Sequence, residues 1–256
     1  MAADIRLIST DFDGTIHEDF AHAPVPEKFQ VRMEQLQRQG VVWVINTGRD
    51  LSSLMESIGR ARVRVRPDFV VSVEREIHRH VQGHYEPVQP WHGNCHRDHS
   101  GLFSDHSTSI SELLARLESK FDATFYADTW SPVCVIARSN PQMDEIQEEL
   151  EAFCSAVEDL VPVRNDVYLR LSHRRYSKGT ALQEIQRMLG LDASQTLAAG
   201  DHLNDLPMLR REVAHWLVTP YNGLPQVKAQ VREQGGFLAL QPCAFGVLEA
   251  LERFGI

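Results

Sequence analysis

Short apolar segments alternate with segments of helical periodicity toward both ends of this chain. Apolar side chains recur at helical spacing within Glu27–Gln39, and the apolar run Val41–Asn46 follows directly. Near the other end, a predicted helix over Lys178–Leu189 precedes a predicted strand over Thr196–Gly200. Strands that alternate with helices form mainly parallel sheets. The alternation therefore predicts an α/β fold with a doubly wound, mainly parallel, Rossmann-like sheet. A first strand from Ile5, a strand over Phe69–Val73 and helices over Asp50–Ile58 and Asp205–Arg211 complete the prediction.

The middle of the chain, from about residue 80 to 175, has a different texture. Residues 78–106 hold seven of the twelve histidines, with little periodicity, and we predict an irregular segment there. Helices are then predicted over Ile110–Phe121 and Met143–Val157, and strands over Val133–Ala137 and Val167–Leu171. We interpret residues 80–175 as an α+β insertion, a cap domain, between two parts of a core domain formed by residues 1–79 and 176–256.

Composition limits the class of function. A net charge of −9 and a pI near 5.7 argue against a nucleic-acid partner, because such binding needs a basic face. The four cysteines are scattered without a CxxC pair, which favours reduced thiols. The opening MAADIR lacks the pattern of a secretory signal, and no apolar run reaches the roughly 20 residues of a membrane helix. We therefore expect a cytoplasmic protein with no membrane partner.

Two acids follow the first predicted strand. In DFDGT, Asp11 and Asp13 are two residues apart and would project to the same side if the extended conformation persists, and Gly14 then permits a sharp turn. A purely structural Asp/Gly turn explains this motif about as well as a site does. The carboxyl end of such a strand is also where α/β proteins build active sites.

Three further segments place polar residues of complementary kinds at the same predicted edge. Because the carboxyl ends of parallel strands meet at one edge, we expect these segments to converge. Taken singly they have plainer interpretations, such as a solvated lysine at a helix start, helix-capping acids or a surface arginine. The residues are Thr47, Gly48 and Arg49 after the second strand, Lys178 before a helix, and Asp201, Asn204 and Asp205 in GDHLND.

Phosphoryl transfer is the chemistry that needs this combination. A carboxylate repels a phosphate ester, so an aspartate nucleophile requires cations beside it. Mg²⁺ is suited to a few carboxylates and a substrate phosphate. Lys178 would add positive charge, and Thr47 would offer a hydroxyl and nearby backbone N–H donors to the phosphoryl oxygens.

The ordered set of DxDGT, a threonine after the second strand, an isolated lysine and GDxxND resembles the four motifs of the haloacid dehalogenase-like (HAD) superfamily. The insertion, SKGTAL (177–182) and NDLPML (204–209) are similar to the Cof-like and sucrose-phosphatase-like subgroup with a type IIB cap. The resemblance implies that Asp11 is a nucleophile forming an aspartyl-phosphate and that Asp13 is the acid and base.

The same resemblance implies the ligands of the metal and substrate. Mg²⁺ would be bound by Asp11, the backbone carbonyl of Asp13 and Asp201, with Asn204 and Asp205 in support. We expect neighbouring acids and burial to raise the pKa of Asp13. The residues implied to contact the substrate are Thr47, Gly48, Arg49, Lys178 and Asn204.

Two segments depart from the family pattern. VSVEREIH (71–78) stands where Cof-like members have an Asn-Gly pair and is closer to the sucrose-phosphatase relatives. HGNCHRDH (92–99) groups His92, Cys95, His96 and His99, which could be read as a zinc site. We favour instead histidines that face solvent or contact substrate, because no second ligand cluster lies at a typical spacing.

The predicted function is a Mg²⁺-dependent phosphatase acting on a small phosphorylated metabolite, with a sugar phosphate as the favoured substrate, because a cap of this size must admit a compact ester. A phosphomutase that returns the phosphoryl group to a hexose is the alternative enzyme. A catalytically silent HAD-like binding subunit is the non-enzymatic alternative. Whether the protein forms a homodimer is not decided by the sequence.

Overall fold

The computed structural model describes residues 4–256. The first three residues, which open the segment compared above with a secretory signal, lie outside this range. The described chain divides into two compact units. The first unit contains the described residues up to Val88 together with Ser177–Ile256, and the second contains Gln89–Tyr176.

The described residues form twelve strands and eight α-helices. The strands are β1 (Leu7–Thr10), β2 (Val42–Asn46), β3 (Phe69–Ser72), β4 (Glu76–Val81), β5 (His84–Pro87), β6 (Thr124–Tyr126), β7 (Cys134–Ile136), β8 (Leu160–Asn165), β9 (Tyr168–His173), β10 (Thr196–Ala199), β11 (Trp216–Thr219) and β12 (Phe237–Leu238). The helices are α1 (Glu27–Arg38), α2 (Leu51–Arg60), α3 (Trp91–Asp105), α4 (Ser107–Lys120), α5 (Asn140–Ser155), α6 (Lys178–Leu189), α7 (Pro225–Glu233) and α8 (Cys243–Phe254).

The first unit is built on an eight-stranded sheet with the order β12-β11-β10-β1-β2-β3-β4-β5. The six strands from β12 to β3 pair in parallel, and β4 and β5 add an antiparallel edge. The predicted doubly wound, mainly parallel α/β fold is confirmed. Because β1 lies between β2 and β10, the loops after these three strands leave the sheet side by side.

Apolar side chains from both faces of this sheet form its core. Helix α1 buries Phe29, Met33 and Leu36, as its periodicity predicts. Trp43 of β2 is fully buried and meets the Phe29 ring edge-on at 5.9 Å between centroids. Burying a large apolar side chain contributes about 1.5–3 kcal/mol, so this packing fixes the strand ends that carry the polar loops.

Two parts of the predicted secondary structure are wrong. Residues 78–106 are not irregular, because they form β4, β5 and α3. Since β4 and β5 extend the main sheet, the first part of the core unit ends at Val88 and not at residue 79. The predicted helix over Asp205–Arg211 is absent; one 3₁₀ turn over Leu203–Asp205 is followed by turns. Pro207 lacks the N–H that a continuing helix would need.

The second unit has its own antiparallel sheet, of order β6-β7-β9-β8, and its own apolar core. Helices α4 and α5 bury Leu113, Leu117, Ile146 and Leu150 in this core. The unit therefore has the α+β composition predicted for the insertion. Across residues 4–256, no helix combines the length and apolar character required to cross a membrane.

Candidate active site

A buried lysine joins two of the predicted motifs. Helix α6 begins at Lys178, where the Ser177 side chain caps the helix, and the Asn46 amide donates a 3.0 Å hydrogen bond to the Lys178 carbonyl. The Lys178 side chain has no solvent exposure, and its Nζ donates to Asp11 Oδ1 and Asp205 Oδ1, both at 2.6 Å. The predicted convergence of the Asp11, Lys178 and Asp205 segments is therefore present in the fold.

Burial and charge set the protonation of this cluster. Burial alone would lower the pKa of Lys178, but the charges of Asp11 and Asp205 outweigh it and raise that pKa above its usual value. Burial also raises the pKa of Asp11 well above its usual range; Lys178 opposes this shift, while Asp205 and Asp201 reinforce it. One lysine thus compensates only part of the negative charge gathered here.

Asp201 lies directly beside the DFDGT loop. Its Oδ1 accepts a 2.7 Å hydrogen bond from the Thr15 hydroxyl. Gly14 has a φ of +76°, and a Cβ at this position would lie 2.3 Å from Asp201 Oδ2, so both the backbone conformation and the available space require glycine. Burial, followed by the charge of Asp205, raises the pKa of Asp201 to about 7.

Asp205 is an anchor of the GDHLND loop. Its Oδ2 accepts the backbone N–H groups of Asp201 at 2.8 Å and His202 at 2.9 Å, while its Oδ1 accepts from Lys178. This fully buried carboxylate therefore already has three donors. It holds the loop that contains Asp201.

Asp13 has a different environment from Asp11. Arg49 donates from Nε to Asp13 Oδ2 at 2.6 Å and from Nη2 to Asp13 Oδ1 at 2.7 Å, and His17 Nδ1 lies 3.4 Å from Oδ1. Burial would raise the pKa of Asp13, but the contacts with His17 and Arg49 outweigh it and lower the pKa to about 2. The expectation of a raised pKa for Asp13 is therefore wrong for this conformation.

The loop after β2 lies against a carboxylate that the sequence analysis did not single out. Thr47 is buried, and its hydroxyl accepts a 3.2 Å hydrogen bond from the Arg49 backbone N–H. A Cβ on Gly48 would come within 3.2 Å of Glu74 Oε1 and 3.6 Å of Asn204 Nδ2. Glu74, in the turn after β3, accepts a 2.9 Å hydrogen bond from Asn204 Nδ2.

Three residues at this site were missed as functional candidates. Thr15 belongs to the DFDGT motif, and Glu74 to the segment noted for its departure from the family pattern, so their positions carried a signal. Nothing in the sequence pairs His17 with Asp13; its ring stacks on Phe12, with centroids 4.6 Å apart.

The acids can accommodate a divalent cation. Carboxylate oxygens of Asp11, Asp201 and Asp205 lie within 4.8 Å of one another. Asn204 Oδ1, which belongs to the same loop as Asp201, is buried and accepts no hydrogen bond from the described residues. A set of hard oxygen donors with incompletely balanced negative charge fits a cation of the Mg²⁺ type. Asp205 already accepts three hydrogen bonds, whereas the Asp11 carboxylate accepts one from Lys178 and that of Asp201 one from Thr15, so Asp11 and Asp201 have more oxygen lone pairs available to hold it.

The four residues considered as zinc ligands occupy helix α3. Cys95 Sγ lies 3.6 Å from His99 Nδ1, and the His92 and His96 rings are 4.4 Å apart. Within residues 4–256, no cluster of potential ligand atoms combines more than two of these four side chains. His99 is buried, so the expectation that the histidines face solvent is wrong for this one.

The parallel sheet and the acid–lysine cluster at its edge define an HAD-like phosphatase, a phosphoric monoester hydrolase. The family model of sucrose-6F-phosphate phosphohydrolase matches residues 5–255, and the chain belongs to that family. The Bacillus subtilis (strain 168) protein named "Putative phosphatase YxeH" is 22% identical over an alignment 255 positions long, which covers 87% of this chain and 89% of that protein.

Solved structures share the fold. The sucrose-phosphatase of Synechocystis sp. PCC6803, solved with sucrose and phosphate, superposes with a TM-score of 0.76 at 22% identity and covers 99% of this chain and 98% of its own. A haloacid dehalogenase-like hydrolase from B. subtilis has a TM-score of 0.63 at 21% identity, covering 97% and 99% of the two chains. The family match, with which these structures agree in fold, confirms the predicted superfamily and its sucrose-phosphatase-like subgroup.

Proposed function

We propose that this protein is a Mg²⁺-dependent phosphatase that hydrolyses a small sugar phosphate through an aspartyl-phosphate. The observation that carries the proposal is the buried Lys178 bound to Asp11, with Asp201 beside them. A purely structural ion pair would need one acid, whereas this cluster keeps several acids around a single lysine at a considerable cost of desolvation. Bound Mg²⁺ would supply the positive charge that allows a carboxylate to approach a phosphate ester.

In the proposed first step, an Asp11 carboxylate oxygen attacks phosphorus while the bond from phosphorus to the sugar oxygen breaks. Asp13 gives its proton to that leaving oxygen. In the second step, water attacks the phosphorus of the aspartyl-phosphate and Asp13 takes a proton from this water. The bond from Asp11 to phosphorus then breaks, inorganic phosphate leaves and Asp13 is protonated again.

Thr47, Gly48 and Lys178 would bind the transferring phosphoryl oxygens by hydrogen bonds and charge. Asp13 can donate a proton only if it exchanges its contacts with Arg49 for contacts with the substrate. We therefore propose that Arg49 moves toward the substrate when it binds. Asn204 would support the metal and substrate side of the site.

The decisive experiment measures inorganic phosphate release from a panel of sugar phosphates, with and without Mg²⁺. The family name and the ligands of the Synechocystis structure place sucrose 6F-phosphate first in this panel. We expect Mg²⁺-dependent release, lost by at least about 10³-fold in Asp11→Asn, whose circular dichroism stays that of the wild type. Turnover of Asp11→Asn near the wild-type rate would contradict the proposal, and an isomeric sugar phosphate as product would indicate a phosphomutase.

A further inference from the structure

The turn after β3 has an unusual backbone conformation. Val73 and Glu74 have φ values of +43° and +69°, although neither residue is glycine and valine is β-branched. Both residues are in the left-handed region, which such side chains seldom adopt. Strained conformations of this kind persist where the surrounding structure fixes them, and they occur preferentially at functional sites.

Backbone hydrogen bonds fix this turn on the loop that follows β2. The Val73 N–H donates to the Arg49 carbonyl at 2.9 Å, and the Glu74 N–H donates to the Thr47 carbonyl at 2.9 Å. A third bond, from the Arg75 N–H to the Ser72 carbonyl at 3.0 Å, closes the turn. The position of Glu74 is therefore tied to the loop that carries the predicted phosphoryl-binding residues.

The Glu74 side chain accepts a hydrogen bond from Asn204, and this bond determines how the Asn204 amide is oriented. The Glu74 residue is 6% exposed, and its Oε1 accepts a hydrogen bond from Asn204 Nδ2 at 2.9 Å. An ionised carboxylate can only accept hydrogen bonds, so it requires the NH₂ group of the amide and rejects the carbonyl oxygen. The Glu74 carboxylate thereby selects one of the two orientations of the Asn204 amide.

The selected orientation leaves Asn204 Oδ1 as a buried oxygen with no hydrogen-bond donor among residues 4–256. Leaving a buried acceptor unsatisfied costs the full desolvation of that group, which is more than a typical hydrogen bond contributes to stability. Asn204 belongs to the same short loop as Asp201, one of the two acids free to hold a cation. Nothing in the described protein uses this oxygen, so a bound group is the partner that would satisfy it.

We propose that Glu74 is a positioning residue that fixes the Asn204 amide so that Oδ1 serves the cation held by Asp11 and Asp201. The proposal rests on the divalent cation of the proposed function, and it adds a residue that none of the four motifs contains. Residues that orient the ligands of a metal commonly change its affinity by 10- to 100-fold when replaced.

An exchange of the two side-chain types tests this role. In Glu74→Gln, the side chain at residue 74 can accept or donate, so the amide of Asn204 is no longer held in one orientation. In Asn204→Asp, two carboxylates face each other. The double variant E74Q/N204D restores one donor and one acceptor and again leaves an oxygen at residue 204 for the cation.

Isothermal titration with Mg²⁺ alone measures the effect without turnover. We expect Glu74→Gln to bind Mg²⁺ about 10-fold more weakly than the wild type, and the double variant, whose net charge equals that of the wild type, to recover most of the loss. Glu86→Gln is the matched control, because Glu86 is an exposed acid of the same unit, and its Mg²⁺ affinity should equal that of the wild type. Unfolding in EDTA verifies that each variant is folded.

The outcomes separate the two proposals. If the wild type binds Mg²⁺ and releases phosphate while Glu74→Gln binds Mg²⁺ equally well, the positioning role is refuted and the proposed function stands. A double variant that binds no better than Glu74→Gln also refutes the role. If the wild type neither binds Mg²⁺ nor releases phosphate from any substrate, both proposals fail.

Discussion

Replacing Asp201 by asparagine should stabilise the metal-free protein at alkaline pH. The pKa of Asp201 is raised from its usual value near 3.8 to about 7, chiefly by burial and the charge of Asp205. The folded state therefore holds this proton more tightly than the unfolded chain does. Stability contributed in this way is present below about pH 4 and is lost as pH rises through about 7.

The structure sets the size of the effect. Raising the pKa of Asp201 from 3.8 to about 7 corresponds to at most about 4 kcal/mol of unfolding free energy, because a change of one in pKa is equivalent to about 1.4 kcal/mol. Asparagine keeps an oxygen that can accept the hydrogen bond from Thr15 and removes the charge. At pH 8 in EDTA, Asp201→Asn should therefore exceed the wild type in unfolding free energy by up to about 4 kcal/mol, with less than half of that difference at pH 5.

Urea unfolding followed by tryptophan fluorescence, in EDTA at pH 5 and pH 8, measures this difference. Asp11 shifts in the same direction, so the pH profile of the variant should flatten without becoming level. Asp50→Asn is the control, because asparagine can also cap α2 and its stability should follow that of the wild type at both pH values. An equal difference at pH 5 and pH 8, or a less stable Asp201→Asn at pH 8, would refute the reasoning. Added Mg²⁺ should stabilise the wild type and not the variant.

Three further substitutions test other parts of the site. Lys178→Met should cost about 3–5 kcal/mol of unfolding free energy, because it leaves Asp11 and Asp205 buried without their cation. Lys120→Met is the control: it removes an exposed ion pair of similar length and should change the urea midpoint little. Equal losses in the two variants would contradict this account. Arg49→Gln should lose about 1–2 kcal/mol at pH 6, after allowance for an ion pair that is about one-third exposed. Because the stability from the lowered pKa of Asp13 is fully present above about pH 4 and is lost as pH falls through about 2, this loss should diminish over that range, and a constant loss would count against the ion pair. Gly14→Ala should lower Mg²⁺ affinity in a titration and destabilise the fold by at least about 1 kcal/mol, because its Cβ would displace Asp201. If Gly14→Ala binds Mg²⁺ as tightly as the wild type does, the loop has room for the Cβ.

The sequence predicts the regular parts of the core closely, for a physical reason. Helix α6 has its predicted bounds because Ser177 and Gly190 cap it, and α1 differs by one residue. Residues 78–106 were mistaken for an irregular segment because α3 buries only Cys95 and His99 and has almost no apolar stripe. Six of the ten residues in β4 and β5 are histidine or charged, which hides the period of these strands.

The site shows the same division between local and long-range information. Strand ends that meet at one sheet edge bring together Asp11 and Asp205, as the topology alone predicts, and Lys178 joins them from the start of α6. The partner of Asp13 does not, because Arg49 is 36 residues away and its side chain could equally have faced solvent. Glu74 and Asn204 are 130 residues apart, and their contact depends on a backbone turn that local propensity disfavours.

Asp11 and Asp13 follow the same strand, yet the fold gives their carboxylates opposite properties. Asp11 is enclosed with other acids around one lysine, so its charge is costly and a cation would relieve that cost. Both carboxylate oxygens of Asp13 accept hydrogen bonds from Arg49, so its ionised form is favoured and its protonation is costly. Under the proposed mechanism Asp13 donates a proton, which it cannot do while it keeps this contact. We therefore expect bound substrate to alter the Asp13–Arg49 pair, and a structure with a bound phosphate analogue should show Arg49 withdrawn from Asp13.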